Sequence, residues 1–225
     1  MEYLIPIGIL ALLGLMAYLL TRSNKNQLKL IEELAQKEAW EFSPKQGRFD
    51  GLFELKAQLK AEQCWTLRAY DKQSDTKTIS TNVSGPYTEW SIPLLSSGTD
   101  LYMMPKDPSM KMLDDEKLLP MLRPLWNKMG LNADQWELYN SLDSDIQSAY
   151  LILTNQAKLA SQIFDSAPFK TLLKRFSQGT YALRPAFRIY EGKAEIQIRK
   201  AIFKPEEIKE LVDLGLTYFN ACAIS

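Results

Sequence analysis

The chain begins with a long apolar segment. Residues Tyr3 to Leu20 are eighteen consecutive positions without a charged side chain. As a helix rising about 1.5 Å per residue, this segment would extend ~27 Å, close to the hydrocarbon thickness of a bilayer. Glu2 precedes it and no small-residue cleavage pattern follows it, which disfavours a cleavable signal peptide. The pattern predicts an uncleaved transmembrane anchor over residues 1–22 that contacts the lipid bilayer through residues 3–20.

Helical and then extended patterns follow the anchor. Apolar residues at helical spacing among Lys, Glu and Gln predict an amphipathic stalk helix over residues 23–39, ended by the extended stretch before Pro44. Beyond it, apolar and polar residues alternate with the period of two that is typical of half-buried strands. The predicted strands of this antiparallel meander are Phe53–Lys60, Cys64–Tyr70, Thr78–Val83 and Thr88–Ile92, with Leu101–Met104 as a further strand.

The middle of the chain is rich in proline. Pro108, Pro120 and Pro124 would interrupt or kink a helix through Leu118–Met129, and the region 105–130 is where the soluble part could subdivide. Asn132 to Gln135 has the pattern of an N-cap and first turn, which predicts a helix through about Leu142. Further predictions are a buried strand at Ala149–Leu153, a helix from Asn155 that buries Ala157, Leu159, Ala160 and Ile163, and a helix from Pro168 through Arg175.

The C-terminal segment predicts a β-hairpin and a helix. Ala182–Tyr190 and Lys193–Lys200 flank Glu191-Gly192, which fits a two-residue loop. That loop pairs Ile189 with Ala194, Phe187 with Ile196 and Arg188 with Glu195. Pro205, followed by two glutamates at the positive end of the helix dipole, opens a helix. Its apolar stripe should pack on the hairpin and consists of Ile208, Leu211, Val212, Gly215, Phe219 and Cys222.

The predicted fold class is α+β: an N-terminal transmembrane helix, then a mainly antiparallel sheet with packed helices and a C-terminal β-hairpin plus helix. Residues 40–225 contain no repeat, low-complexity tract or Gly/Ser linker, so we treat them as one soluble α+β domain. The order of elements resembles a group of uncharacterised bacterial single-pass membrane proteins. The residues that carry the resemblance are Trp40, Thr88-Glu89-Trp90, Leu153-Thr154 with Ala157 and Ala160, and Leu211-Val212-Asp213-Leu214-Gly215. The resemblance implies this architecture and no catalytic residue.

Composition excludes several functional classes. The 27 Lys and Arg residues balance the 27 Asp and Glu residues without a block of like charge, which argues against a nucleic-acid binder. The chain has no histidine, and this removes Ser-His-Asp and Cys-His catalytic systems and His-ligated metals. Cys64 and Cys222 are far apart and outside any C-x-x-C motif. We therefore predict no cofactor, and catalytic activity is disfavoured.

Three groups of residues could carry chemistry. Asp114-Asp115-Glu116 offers carboxylates for a hard cation, although adjacent acids more often begin a helix, and we predict no metal there. Six of eight methionines fall between Met103 and Met129, where copper binding, an adaptable surface and core packing are alternatives, the last favoured. The hairpin register places Arg184 opposite Arg199, where they could hold an anion, an acidic lipid headgroup or a partner. A pair of arginines splayed into water, or a shifted register, is the alternative.

Two functions fit these features. The first is a membrane-anchored, non-catalytic domain that mediates protein–protein interaction or assembly at the inner membrane, with a protein partner and no nucleic acid. The alternative is a membrane-tethered enzyme or ligand-binding domain acting on an anionic or lipid-derived molecule. A flat surface favours the first function, whereas a pocket with convergent polar groups and perturbed ionisable residues favours the second.

The charges beside the anchor predict its orientation. Arg22, Lys25 and Lys29 follow the apolar segment, whereas only the terminal amine and Glu2 precede it. The positive-inside rule therefore places the soluble domain on the cytoplasmic side of a bacterial-type inner membrane. Protease added to spheroplasts should leave the domain intact until the cells are lysed, measured by immunoblotting beside a periplasmic control protein. Digestion of the domain in intact spheroplasts would reverse this orientation.

Overall fold

The computed structural model describes residues 26–45, 52–60, 63–70, 86–94, 99–106, 115–128, 133–140, 143–177 and 184–223. The predicted membrane span at Tyr3–Leu20 and the predicted strand at Thr78–Val83 lie outside these residues. Within the described ranges, none of the helices combines the length and the apolar character that a membrane crossing requires.

The described strands form one nine-stranded sheet in which every neighbouring pair is antiparallel. The strands are β1 (Glu41–Pro44), β2 (Phe53–Lys60), β3 (Gln63–Tyr70), β4 (Tyr87–Pro93), β5 (Leu101–Pro105), β6 (Glu137–Leu138), β7 (Tyr150–Thr154), β8 (Ala186–Tyr190) and β9 (Lys193–Ile198). Their order across the sheet is β1-β2-β3-β4-β9-β8-β5-β7-β6. The predicted α+β class with an antiparallel sheet is therefore confirmed, and the C-terminal hairpin lies in the middle of the sheet.

Helices cover both faces of this sheet. They are α1 (residues 26–37), α2 (Asp115–Lys128), α3 (Ser144–Ala149), α4 (Ala157–Phe164), α5 (Ala167–Ser177) and α6 (Pro205–Ala223), with a short 3-10 helix at Ala133–Gln135. The main core lies between one face of the sheet and helices α1, α3, α4, α5 and α6. A smaller core on the other face joins α2 and the 3-10 helix to strands β5 and β7.

An apolar row runs through the main core because strand residues alternate between the two faces of a sheet. Residues of seven neighbouring strands pair directly in this row, and all are almost completely buried. They are, in sheet order, Leu55, Leu67, Trp90, Ile196, Phe187, Met103 and Ile152. The row fixes the register of the sheet, since a slip by one residue would turn each strand's apolar residues toward the opposite face.

The register predicted for the C-terminal hairpin is confirmed. Phe187 pairs with Ile196, Arg188 with Glu195 and Ile189 with Ala194. The two loop residues have positive φ angles, 51° at Glu191 and 71° at Gly192, as a type I′ turn requires. The strands are shorter than expected, because the pairing ends at Ala186 and Gln197.

The predicted stalk helix packs on the domain. Ile31 and Ala35 of α1 lie in the main core. The expectation that the stretch before Pro44 ends this helix is wrong: Ala39 adopts a left-handed conformation with φ 57°, and Trp40 N–H donates to the Ala35 carbonyl at 2.8 Å. Together with a bond from the Ala39 N–H to the Gln36 carbonyl, this is a Schellman motif. Pro44 instead lies in the edge strand β1.

Two predictions for the middle of the chain need correction. Helix α2 is continuous through Pro120 and Pro124, which lie four residues apart and are exposed, so the missing hydrogen bonds fall on the solvent side. The predicted helix from Asn132 to Leu142 is a 3-10 turn followed by β6. Burial of Trp136 and pairing of Leu138 with Leu153 outweigh the local helix signal.

The remaining helix and strand predictions hold with small shifts. Strand β7, helix α4 and helix α5 begin within two residues of their expected positions. Ala157 is exposed rather than buried, whereas Leu159, Ala160 and Ile163 are buried as expected. The predicted apolar stripe of α6 is buried in the main core or, at Gly215, against it.

Helix α6 approaches strand β4 most closely at a glycine. A Cβ atom at Gly215 would lie 2.3 Å from two indole carbons of Trp90, whose side chain is fully buried. A side chain at this position would therefore push the helix away from the sheet.

Gly215→Ala should destabilise the domain by about 1–3 kcal/mol through overpacking, although alanine favours a helix over glycine by about 1 kcal/mol. The measurement is urea unfolding of the full chain in mild detergent. Asn220→Ala in the same helix is the matched control, because Asn220 is exposed and its replacement should change the free energy of unfolding by less than about 0.5 kcal/mol. A Gly215→Ala variant as stable as the wild type would contradict the close packing.

Candidate functional site

The second face of the sheet is divided into two unlike halves. Helix α2 and the 3-10 helix cover an apolar half over β5 and β7. No described helix packs on the half formed by β2, β3, β4 and β9, where the residues that alternate with the apolar row are mostly polar or charged. We call this half the charged face. Its charged residues, together with Arg188 of β8, are Glu54, Lys56, Arg68, Glu89, Lys193, Glu195 and Arg188.

Strand register arranges these residues in two rows. Glu54, Arg68, Glu89 and Gln197 pair directly across β2, β3, β4 and β9. The next row along the strands contains Lys56, Thr66, Ser91, Glu195 and Arg188. Opposite charges on neighbouring strands stabilise a sheet by some tenths of a kcal/mol per pair.

Glu54 is the most strongly neutralised carboxylate of the charged face. Its side chain is 5% exposed and lies near three cations: the Lys56 Nζ atom at 2.8 Å, the Lys45 Nζ atom at 3.7 Å and the guanidinium of Arg68. Burial by itself would raise the pKa of Glu54, but hydrogen bonds and charge from Lys56 and Arg68 outweigh burial and lower it. Glu54 is therefore a carboxylate held in its ionised form.

Glu195 occupies the corresponding place on β9. Its side chain is 7% exposed and accepts hydrogen bonds from Arg188, one of them from Nε at 2.7 Å. The Nζ atom of Lys193 lies 2.5 Å from its other oxygen. The cross-strand pair of Arg188 and Glu195 expected from the hairpin is therefore present, with two guanidinium N–H groups donating to one carboxylate oxygen.

Glu89 lies between these two clusters and is poorly neutralised. Its nearest cation is the Nζ atom of Lys193 at 3.6 Å, which it shares with Glu195. Burial and the negative charge of Glu195 raise the pKa of Glu89, and the attraction of Lys193, Arg188 and Arg68 offsets this only in part.

The charges of this face lie in two layers. The carboxylates of Glu54 and Glu195 are buried, whereas the side chains of Lys56, Arg68 and Lys193 are 38%, 44% and 42% exposed. Long cationic side chains cover the apolar and acidic groups beneath them with their methylene stems while their charged ends reach water. The surface presented to solvent is consequently cationic.

Aromatic residues mark the boundary between the charged face and the half under α2. Tyr102 pairs with Arg188 across the strands and packs on Trp136 with a centroid distance of 4.3 Å. Trp136 Nε1 lies 3.5 Å from Asp100, and the guanidinium of Arg188 lies 5.7 Å from the ring of Tyr190. Burial raises the pKa of Tyr102, so its hydroxyl stays protonated and offers no nucleophile at neutral pH.

The two arginines predicted to form an anion site do not pair. Arg184 lies in a bend before β8 and Arg199 directly follows β9, but the strand ladder ends at Ala186 and Gln197, two positions short of them. Arg184 is partly buried and its Nε atom has no hydrogen-bond partner within the described part of the chain, whereas Arg199 is exposed. The backbone pairing of the hairpin therefore ends before it reaches these two residues, and an anion site formed by them stays a prediction.

The other sequence candidates are dispersed. Asp115 and Glu116 begin α2, while Asp114 lies outside the described residues. Met103 lies in the main core and Met104 in the smaller core, on opposite faces of β5, and Met121 is exposed on α2. Met110, Met112 and Met129 are also outside the described ranges. No cluster of three acidic or cysteine ligands occurs among the described residues.

A groove of about 500 Å³ lies between helices α4, α5 and α6. Its lining residues are Gln162, Ser166, Pro168, Thr217, Asn220 and Ala221. None of them is ionisable, so the groove lacks the cation that recognition of an anionic ligand requires.

Comparison with known proteins gives one distant likeness. No protein-family model and no curated protein matches the chain. The crystal structure of the mycobacterial trehalose monomycolate transport factor A, TtfA, is similar with a TM-score of 0.47 and 6% sequence identity, covering 87% of this chain and 93% of that chain. At this level the likeness assigns no function.

Glu54 and Glu89 flank Arg68 in one row but have opposite pKa shifts, and this predicts opposite effects of neutralising them. Glu54→Gln should lower the free energy of unfolding at pH 7 by about 1.5–3 kcal/mol, the range for hydrogen bonds to a charged group. Glu89→Gln should leave stability unchanged or raise it, since it removes a partly buried charge that lacks a cation of its own.

The pH dependence supplies the internal control. The lowered pKa of Glu54 contributes stability above its unfolded pKa, and this is lost as pH falls through the folded pKa. The raised pKa of Glu89 has the opposite effect on stability. The stability that protonated Glu89 contributes is complete at acid pH and is lost as pH rises through its folded pKa. We therefore compare the free energies of unfolding, measured with a chemical denaturant, from acid to neutral pH. Relative to the wild type, the stability of Glu54→Gln should decrease as pH rises, and the stability of Glu89→Gln should increase. Parallel pH profiles for the two variants would contradict this assignment.

Proposed function

We propose that this protein is a membrane-anchored, non-catalytic domain that binds a protein partner through its charged face. The observation that carries the proposal is the division of the second sheet face. One half is covered by α2 over apolar residues, and the other presents an ordered layer of ion pairs that no described helix covers. An extended polar surface of this kind suits recognition of another surface.

The state of the ionisable groups favours binding over catalysis. Glu54 is held ionised by three cations and Glu195 by two, so both carboxylates are committed to ion pairs. A catalytic acid or base needs a titrating group at a site that a substrate reaches. The groove between α4, α5 and α6 has no ionisable lining residue, so it offers no such group either.

The predicted anchor determines how far the domain can lie from the membrane. If residues 3–20 span the bilayer, the five residues 21–25 are the whole connection to the first described residue of α1, and they extend at most ~17 Å. Because α1 packs in the main core, the domain would be held close to the membrane. A partner bound by this domain would then be concentrated at the membrane.

Site-specific photocrosslinking in living cells tests this proposal. A photoreactive amino acid at Thr66, in the middle of the charged face, should give an adduct of defined mass with one partner protein. The same amino acid at Lys158 is the matched control, because Lys158 is exposed on α4 at the opposite side of the sheet. Both variants should retain the wild-type unfolding temperature. Absence of a defined adduct at Thr66, or the same adducts at both positions, would refute the proposed function.

A further inference from the structure

We infer that the partner segment recognised by the charged face is acidic, an inference that rests on the proposed function. The charged face has four cations and three carboxylates among the described residues, and Lys45 adds a further cation beside Glu54. The carboxylates lie beneath the cations, as the exposures of Glu54 and Lys56 illustrate, 5% against 38%. A partner surface therefore meets lysine and arginine side chains, and its complement is a set of Asp and Glu residues.

The buried carboxylates also prepare the cations for binding. A flexible lysine or arginine loses side-chain entropy when it is immobilised by a partner, at a cost of about 0.5–1.5 kcal/mol for each side chain. Lys56 and Arg68 are already held by Glu54, and Lys193 and Arg188 are held by Glu195. Much of this side-chain entropy is therefore already lost when the domain folds, and the exposed ends of the cations have defined positions before a partner binds.

The spacing of the cations suits a short extended segment. Lys56 lies on β2, Arg68 on β3 and Lys193 on β9, so three strand-to-strand steps separate the outer two. Lys193 is also offset from the row of Lys56 by two residues along the strands. At about 4.8 Å per step and about 3.3 Å per residue the separation is ~16 Å, the length of about five residues of extended chain. An acidic stretch of that length can reach all three cations.

The position of the tether favours a protein over lipid headgroups as the occupant. Helix α1 packs on the face of the sheet opposite to the charged face, since Ile31 and Ala35 lie in the main core. The predicted anchor is joined to this side of the domain by residues 21–25. With the span inserted, the chain enters the domain on the helical side of the sheet, opposite to the charged face.

The test uses the full chain in nanodiscs of neutral phosphatidylcholine, with a fluorescent peptide of five Glu-Ser repeats as the probe. Anisotropy titrations at about 50 mM salt should show binding that weakens steeply with added salt, as expected for exposed ion pairs. A peptide of five Gln-Ser repeats should not bind. The double variant Lys56→Gln, Lys193→Gln should weaken binding of the acidic peptide at least about fivefold, as expected for the loss of two exposed ion pairs.

The matched control is Lys158→Gln, Lys174→Gln, which removes the same charge from exposed positions on α4 and α5. It should change the affinity by less than about twofold, because these lysines lie outside the charged face. The salt dependence of the first double variant should also be shallower. Equal affinities of the two double variants, or binding of the Gln-Ser peptide as tight as that of the Glu-Ser peptide, would overturn the inference.

Two further measurements separate the possible failures. The crosslink from Thr66 should decrease in the Lys56→Gln, Lys193→Gln variant and persist in the control. If it persists in both variants, the proposed function is supported, but the inference that the partner segment is acidic is contradicted. Absence of any crosslink from Thr66 removes the proposed function itself. In nanodiscs that contain phosphatidylglycerol, affinity for the Glu-Ser peptide should be unchanged, since loss of binding there would identify anionic lipid as the occupant and overturn the inference.

Discussion

The continuity of the sheet depends on the C-terminal hairpin. Strands β8 and β9 lie between β4 and β5, so they join the N-terminal meander to the strands of the middle of the chain. Phe187 sits at this junction: its ring packs on Phe169 of α5 and Tyr218 of α6 at centroid distances of 5.1 and 5.2 Å. The hairpin therefore links both halves of the sheet and two helices through one fully buried side chain.

The strand alternation that forms the core also forms the charged face. Each apolar residue that points into the main core has neighbours along its strand that point to the other side. Where α2 lies, these neighbours are Tyr102, Leu151 and Leu153, and they form a second core. Where α2 does not cover the sheet, the residues on this side are Glu54, Arg68 and Glu89, which pair with one another across the strands. A single register therefore determines both the packing of the domain and the arrangement of charges on its other face.

Much of the fold could be predicted from local patterns, whereas the site could not. Strand β2 matches its predicted bounds and the hairpin its predicted register, because a period of two and a two-residue turn are encoded locally. The helix expected after Asn132 failed because Trp136 is buried against Tyr102 of β5, which lies 34 positions earlier in the sequence. The charged face requires β9 beside β4, a pairing between residues 100 positions apart, so no local pattern brings Glu89 to Lys193. Arg184 and Arg199 were selected from the hairpin alone, and the pairing ends before it reaches them.

Glu89 is the residue of this surface that stability alone accounts for least well. A partly buried carboxylate without its own cation weakens the folded state, and a neutral glutamine would fit the same space without that cost. The position nevertheless carries a glutamate, between the ion pairs of Glu54 and those of Glu195. Its negative charge attracts Lys193, Arg188 and Arg68 and so helps to hold the cationic layer in place. A domain selected only for stability gains nothing from this arrangement, whereas a domain that must present fixed cations to an acidic segment does.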